Sequence, residues 1–332
     1  MLHAITRQAA RTRVLVTGAS GFVGRHVTEE LAQRPGYSVR GALRKTPPPP
    51  ECPAIDYVAA GQLSPDADWT NALRDIDVVV HLAARVHLMR DPSPDPLAAF
   101  RRANVDGTLA LARQAAAAGV RRFVFVSSIK VNGERTVPGK PFKATDAPAP
   151  CDPYGTSKLE AEQGLQALSA STGIEYVIIR PPLVYGPGVG ANFLAMMRWL
   201  RRGVPLPLGG VRNKRSLVSV HNLSDLIVTC VDHPAAANQI LLVADGEDLS
   251  TAEMLQRLGV ALGCPARLIP VPPNVLRVGS SLIGKSDIAR RLCDSLQVDV
   301  GPTRDLLRWC PPVSVDQGLQ SAARYFLAHQ VG

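Results

Sequence analysis

Short β-branched and apolar runs alternate with helical stretches along this chain. Val14 to Thr17, Tyr37 to Leu43, Asp77 to Leu82, Phe123 to Ser127, Glu175 to Ile179 and Gln239 to Val243 read as strands. Runs such as Val78-Val79-Val80 and Val177-Ile178-Ile179 are apolar throughout, the pattern of strands covered by helices on both faces. Between them, Val23, Val27 and Leu31 recur at helical spacing, and Ala103 to Ala118 is a strong helix former closed by Gly119 at its C′ position. Such alternation predicts an α/β fold built on a doubly wound parallel sheet. After Arg180 the texture loosens, with Pro181-Pro182, Gly186-Pro187-Gly188 and Pro205 to Gly210 breaking the periodicity. The expected division is therefore a nucleotide-binding domain over 12–180, to which 216–243 returns, and a smaller C-terminal substrate-binding lobe made of 181–215 and 244–332. Residues 1–11 are expected to be a disordered lead-in and Pro47 to Pro50 a surface spacer.

At 332 residues, with 46% hydrophobic and 20% charged positions, the chain is long enough for one large or two ordinary domains and unlike a disordered or disulfide-built class. No apolar run is long enough for a membrane helix, since Leu268 to Gly284 is interrupted by Pro270, Pro272, Pro273, Asn274 and Arg277. No membrane partner is expected, and without an apolar leader the expected location is cytoplasmic. The six cysteines are scattered with no CxxC pair, which predicts buried thiols in a reducing compartment and no metal site. The charge of +9 permits either nucleic acid or a small polyphosphate as partner. The clusters Arg101-Arg102, Arg121-Arg122, Arg201-Arg202 and Arg212 to Arg215 are dispersed and carry no stacking aromatics, so most read as solvated faces and no nucleic acid is expected.

Directly after the first strand comes Gly18-Ala19-Ser20-Gly21-Phe22-Val23-Gly24, which opens the Val23/Val27/Leu31 helix. Strand, glycine turn and helix in succession make a pyrophosphate cradle: backbone that approaches without a Cβ, amide N–H donors, and the positive end of a helix dipole. The motif turns the predicted sheet into a Rossmann fold. An acid at the tip of the second strand would select NAD, whereas Arg44-Lys45 stand there, which favours NADP(H), with NAD(H) the alternative.

In Asp152-Pro153-Tyr154-Gly155-Thr156-Ser157-Lys158 a Tyr and a Lys four apart share one helix face. A nearby ammonium and a cationic nicotinamide favour phenolate; lowering a phenol from about 10 to near 7 requires about 4 kcal/mol. The buried strand Phe123 to Val126 ends in the hydroxyls of Ser127 and Ser128, at the sheet edge where ligands bind in such folds.

Together these pieces resemble the extended short-chain dehydrogenase/reductase superfamily, and within it the NAD-dependent epimerase/dehydratase family that acts on nucleotide sugars. The matching segments are Val16 to Gly24, His81 to Ala84, Asn104 to Thr108, Phe125 to Gly133, Asp152 to Lys158, Arg180 to Gly188 and Arg215 to Leu226. The resemblance implies that Tyr154 is the acid/base, that Lys158 holds the nicotinamide ribose and that Ser128 orients the sugar oxygen, with Ser127 beside it. It further implies that Ser20, Phe22 and Val23 join the three glycines, that Gln62 and Leu63 lie near the adenine, and that Leu82, Ala83 and Ala84 line the cofactor. Asn104 would support the active-site loop and Pro181 and Pro182 would border the nicotinamide. On the substrate side, Asn192 and Arg215 would hold a diphosphate. Apart from the resemblance, Arg85, Lys130 and Glu134 are candidates to line the sugar pocket, with solvent exposure the alternative for each. A uridine-diphosphate sugar is the expected substrate, and a homodimer the expected assembly.

The reaction is read from the departures. Dehydratases of this kind carry an Asp-Glu pair after the catalytic hydroxyl, where this chain has Ile129 and Lys130. Asn132 replaces a usual Tyr, and Leu183 a substrate-binding Asn of similar epimerases. The expectation is a 4-keto-sugar reductase of surface-polysaccharide biosynthesis, in which hydride from NADPH reaches C4 while Tyr154 protonates the alkoxide. The rival is a 4-epimerase with retained NAD. More distant readings are a non-catalytic dinucleotide sensor, and an enzyme acting on a steroid-like ketone.

Overall fold

The computed structural model describes residues 11–45, 54–86, 95–282, 284 and 286–329. The expected lead-in, except Arg11, the spacer Pro47 to Pro50 and Cys52 lie outside the described residues. The strands are β1 (Thr12–Thr17), β2 (Tyr37–Leu43), β3 (Ile55–Ala59), β4 (Val78–His81), β5 (Arg122–Val126), β6 (Glu175–Arg180), β7 (Leu183–Tyr185), β8 (Arg215–Ser219), β9 (Gln239–Leu242) and β10 (Asp248–Leu249). The helices are α1 (Phe22–Gln33), α2 (Thr70–Leu73), α3 (Pro96–Phe100), α4 (Thr108–Ala117), α5 (Pro153–Thr172), α6 (Ala191–Arg201), α7 (Val220–Asp232), α8 (Thr251–Ala261), α9 (Pro273–Leu282), α10 (Ser286–Cys293), α11 (Gly301–Leu307) and α12 (Val315–His329).

Seven strands form a parallel sheet in the order β3-β2-β1-β4-β5-β6-β9, a Rossmann-like α/β fold. The order reverses between β1 and β4, which places the switch point of the sheet beside the glycine turn. Thr17 is in register with both Ala42 and His81, so the turn after β1, the tip of β2 and the loop after β4 leave the sheet at one edge. β7, β8 and β10 form a separate three-stranded sheet.

The chain divides into two compact units. The first contains residues 1–126, 160–178 and 227–239, and its core is the apolar strand set, with Val14, Leu15, Val16, Val78, Val79, Val80 and Val124 wholly buried. Arg122 is buried here too, contrary to the solvated face expected for Arg121-Arg122. Its Nε donates to Glu175 Oε2 (2.7 Å), and its Nη1 to the carbonyls of Cys230 (2.7 Å), Val231 (3.2 Å) and His233 (3.0 Å). A cation at the carboxyl end of a helix satisfies acceptors that have no partner within the helix.

The second unit contains residues 127–159, 179–226 and 240–332. This division differs from the expected one in that 127–159 goes with the C-terminal part and, of 216–243, only 227–239 joins the first unit. Its loop packs there: Phe142 bridges to Val298, Thr136 N donates to the Ser295 carbonyl (2.8 Å), and Ile129 shares an apolar cluster with Leu242, Leu296 and Val298. A larger cluster, including Tyr185, Phe193, Met197, Leu217, Leu255, Leu258, Leu319 and Phe326, forms the main core of this unit.

The helix expected over 103–118 is regular only as α4; Arg101–Gly107 is a widened π turn. Such turns occur frequently at functional sites, and Asn104, buried in this one, is used below. Gly119 takes φ +81°, as a C′ residue should.

Candidate active site

In the first unit, the turn after β1 depends on its glycines. Gly18 sits at φ +69°, and a Cβ there would come 2.9 Å from the Ala83 nitrogen; a Cβ on Gly24 would come 2.1 Å from the Gly18 carbonyl oxygen. Gly21 N donates to that carbonyl (2.9 Å); no side chain among the described residues caps α1, and no acid stands in its first turn. Uncapped N–H groups above glycines that admit no Cβ fit a dinucleotide pyrophosphate. Ser20 and Gly21 are exposed, Phe22 and Val23 half-buried.

The loop after β4 is tied to this turn by a chain of hydrogen bonds that the sequence reading did not single out. Thr17 Oγ1 accepts the amides of Leu82 (3.3 Å) and Ala83 (3.2 Å) and lies 2.7 Å from His81 Nδ1; His81 Nε2 lies 3.0 Å from Thr108 Oγ1. Thr17 donating to Nδ1 and Nε2–H donating to Thr108 satisfies every member of the chain. Four residues before Thr108, Asn104 Oδ1 accepts the Arg85 amide (2.8 Å) and Asn104 Nδ2 donates to the Arg85 carbonyl (3.0 Å). The widened turn thus pins the segment 82–85. The Arg85 guanidinium lies over the Phe100 ring, 5.7 Å from its centroid. Leu63 packs against Gly107, Gln62 is exposed, and Arg44 and Lys45 are exposed beyond β2.

In the second unit, Ser128, Tyr154 and Lys158 come from the end of β5 and the first turns of α5. The Lys130 amide donates to Ser128 Oγ (3.2 Å), so the Ser128 hydroxyl keeps its own proton free to donate. Asp152 precedes the helix: Oδ1 accepts the Gly155 amide (2.6 Å) and Oδ2 pairs with Lys130 Nζ, which also reaches Glu134 (3.4 Å). Lys130 is thus engaged with carboxylates of its own chain. Lys158 is buried, with Nζ 6.0 Å from the Tyr154 ring centroid. Burial, with the Asp152 carboxylate adding to it, pushes the Tyr154 phenol up to about 12. Of the two cations expected to lower it, the one the chain supplies does not offset that burial.

Ser127 is buried with its amide donating to the Ile179 carbonyl (2.7 Å), and its hydroxyl has no partner among the described residues. Asn132 accepts from buried Arg180 Nη1 (2.9 Å) and donates to the Lys143 carbonyl (2.8 Å), so it fastens the loop to β6 where a Tyr is usual. Pro181 and Pro182 are buried and Leu183 is exposed. Tyr185 OH donates to Asp245 (2.7 Å), whose other oxygen accepts Ser219 N (2.7 Å) and Asn222 Nδ2 (2.6 Å). Burial pushes the Asp245 carboxyl upward against those three bonds. This network steadies β7 beside β8, which carries Arg215. Arg215 Nη1 donates to the carbonyls of Arg291 (2.8 Å) and Asp294 (3.1 Å), and burial draws its guanidinium below the usual range. Asn192 is exposed in the first turn of α6.

A doubly wound sheet with a glycine cradle on its first helix, a serine at the end of a central strand and a Tyr-x-x-x-Lys helix defines a dehydrogenase-type nucleotide-binding protein. The chain belongs to the NAD dependent epimerase/dehydratase family, whose model matches residues 14–244. It is 47% identical over 315 residues, covering 95% of each chain, to UDP-glucose 4-epimerase of Vibrio cholerae. In fold it is similar to UDP-glucuronic acid 4-epimerase from Bacillus cereus in complex with NAD, with 21% identity, TM-score 0.76 and coverage of 96% and 99% of the two chains. It is likewise similar to MoeE5 in complex with UDP-glucose and NAD, with 25% identity, TM-score 0.75 and coverage of 95% and 99%.

Proposed function

We propose that this enzyme interconverts the C4 epimers of a UDP-linked sugar with a retained NAD, in place of the 4-keto-sugar reductase expected from the departures at Ile129, Lys130, Asn132 and Leu183. The observation that carries this reading is the 47% identity, across nearly the whole of both chains, to a UDP-glucose 4-epimerase. Bound NAD supplies a hydride acceptor and donor for C4. Tyr154 Oη takes the proton of the C4 hydroxyl and returns it, and Ser128 Oγ donates to the same sugar oxygen and fixes its direction. Lys158 holds the cofactor ribose and keeps a positive charge near the phenol as it ionises. Arg215, held by two carbonyls, and Asn192 meet the substrate diphosphate.

The reductase remains a second reading because Arg44 and Lys45, with no acid at the tip of β2, suit a 2′-phosphate. Purified enzyme incubated with UDP-glucose or UDP-N-acetylglucosamine distinguishes the two. Epimerisation gives a mixture of two sugars with no net change at 340 nm, and denaturation releases NAD. Consumption of one NADPH per 4-keto sugar, with no interconversion of the hydroxy sugars, refutes the proposal.

A further inference from the structure

We propose that the face of the second unit formed by α6, the 203–209 turn, the 265–272 segment and α9 docks on the surface of an anionic membrane. Ala195, Arg198 and Trp199 on the exposed side of α6, and Arg202 at its C-terminal cap, follow one another at i, i+3, i+4 and i+7, while Phe193, Met197 and Leu200 fill the core from the other side. Trp199 is 46% exposed, and it is the exception among the three tryptophans, since Trp69 and Trp309 are buried.

The turn that follows α6 pairs with the segment leading to α9. Leu206 N donates to the Arg267 carbonyl (2.8 Å) and Ile269 N donates to the Leu206 carbonyl (2.8 Å). On these adjoining pieces Val204 and Ile269 stand exposed. α9 has no buried residue; Leu276 leans on the core, and Val275, Val278 and Leu282 form an exposed apolar stripe, with Leu282 83% exposed.

Charge decides the occupant. No acidic residue lies from Ala191 to Gly209 or from Pro265 to Leu282, and the basic side chains there are Arg198, Arg201, Arg202, Arg267 and Arg277. Arg277 is paired with Asp294, but Arg201, Arg202 and Arg267 are exposed and form no ion pair among the described residues. An exposed Trp flanked by arginines, beside protruding aliphatic side chains, is the make-up of a surface that enters the headgroup layer of an anionic bilayer. This departs from the sequence reading, which takes Arg201-Arg202 as a solvated face and expects no membrane partner. It requires no spanning segment, and no helix among the described residues is long and apolar enough to cross a membrane.

The test is co-sedimentation of the full chain with phosphatidylglycerol/phosphatidylcholine vesicles and with phosphatidylcholine alone, read together with tryptophan emission. Binding to the anionic vesicles only, with a blue shift that Trp199→Ser abolishes, is the expected result. Arg201→Gln/Arg202→Gln should weaken partitioning about 25-fold, from about fivefold per arginine near the surface, while circular dichroism stays unchanged. No sedimentation with anionic vesicles at low salt overturns the proposal. So does a dimer in light scattering that Trp199→Ser or Leu282→Glu dissociates while vesicle binding is absent, which would assign the face to a second copy of the chain.

Discussion

Replacing Gly24 with Ala separates the cradle from a merely flexible loop. The new Cβ would stand 2.1 Å from the Gly18 carbonyl oxygen, 2.8 Å from its carbon and 2.9 Å from the Ala19 Cα, all backbone atoms of the turn itself. A carbon and an oxygen need more than 3 Å, so α1 must slide away from β1 by about 1 Å, in a core where Val27 and Leu31 are wholly buried. Overpacking of this kind costs about 3 kcal/mol, at the upper end of the usual range. At about 2 °C per kcal/mol for a chain of this size, the melting temperature should fall by about 6 °C. In wild type, NAD at a hundred times its dissociation constant should raise stability by about 2.7 kcal/mol, and Gly24→Ala should lose that response. Two further substitutions calibrate the result. Gly36→Ala meets nothing within 4 Å and should stay within about 0.5 kcal/mol of wild type. Gly21→Ala meets only the Gly18 oxygen, at 3.1 Å, and should fold like wild type yet bind NAD at least about tenfold more weakly, a loss of about 1.4 kcal/mol. If Gly24→Ala melts and binds NAD as wild type does, the steric reasoning and the placing of the pyrophosphate both fail.

Asp152→Asn keeps an oxygen for the Gly155 amide but removes a charge that holds the Tyr154 phenol up, so the acidic limb of the kcat/KM profile should move to lower pH; an unchanged limb rejects the coupling. Tyr154→Phe should abolish turnover. Because the folded phenol titrates at about 12, above its unfolded value near 10, its contribution to stability is complete below about 10 and lost on passing through about 12. Denaturant titrations should therefore show a shallower alkaline decline in Tyr154→Phe than in wild type. Arg122→Met leaves the Cys230 and His233 carbonyls without this donor, Val231 keeping Arg121, and should cost about 3 kcal/mol in a urea unfolding curve, whereas Glu175→Gln, at the exposed end of the pair, should cost under about 1 kcal/mol. Ser127→Ala removes a buried hydroxyl that has no partner among the described residues and should leave stability unchanged or raise it by about 1 kcal/mol.

The parts of this molecule that could be read from the chain are those whose cause is local. Val78-Val79-Val80 becomes β4 because two-sided burial needs no knowledge of the partner strand, and Gly18 to Gly24 forms its turn because backbone sterics within seven residues demand it. β3, β7, β8 and β10 left no comparable trace: each has at most five residues, and β10 has two, held by pairing with β8 and not by any pattern of its own. The same division runs through the candidate site. Tyr154 and Lys158 announce themselves by a spacing of four on one helix, whereas the Thr17-His81-Thr108 chain joins positions 64 and 27 residues apart and is invisible to any local window. Burial is the least legible property of a charged residue. Arg121 and Arg122 are neighbours of one kind and both reach the end of α7, yet Arg122 is buried there while Arg121 stays exposed and pairs with Asp232. Arg215 and Arg201 part in the same way, one drawn inside by two carbonyls and the other left on an exposed helix face. A net charge of +9 is therefore the sum of cations with opposite structural fates, and it bears on partners only after the structure has sorted them.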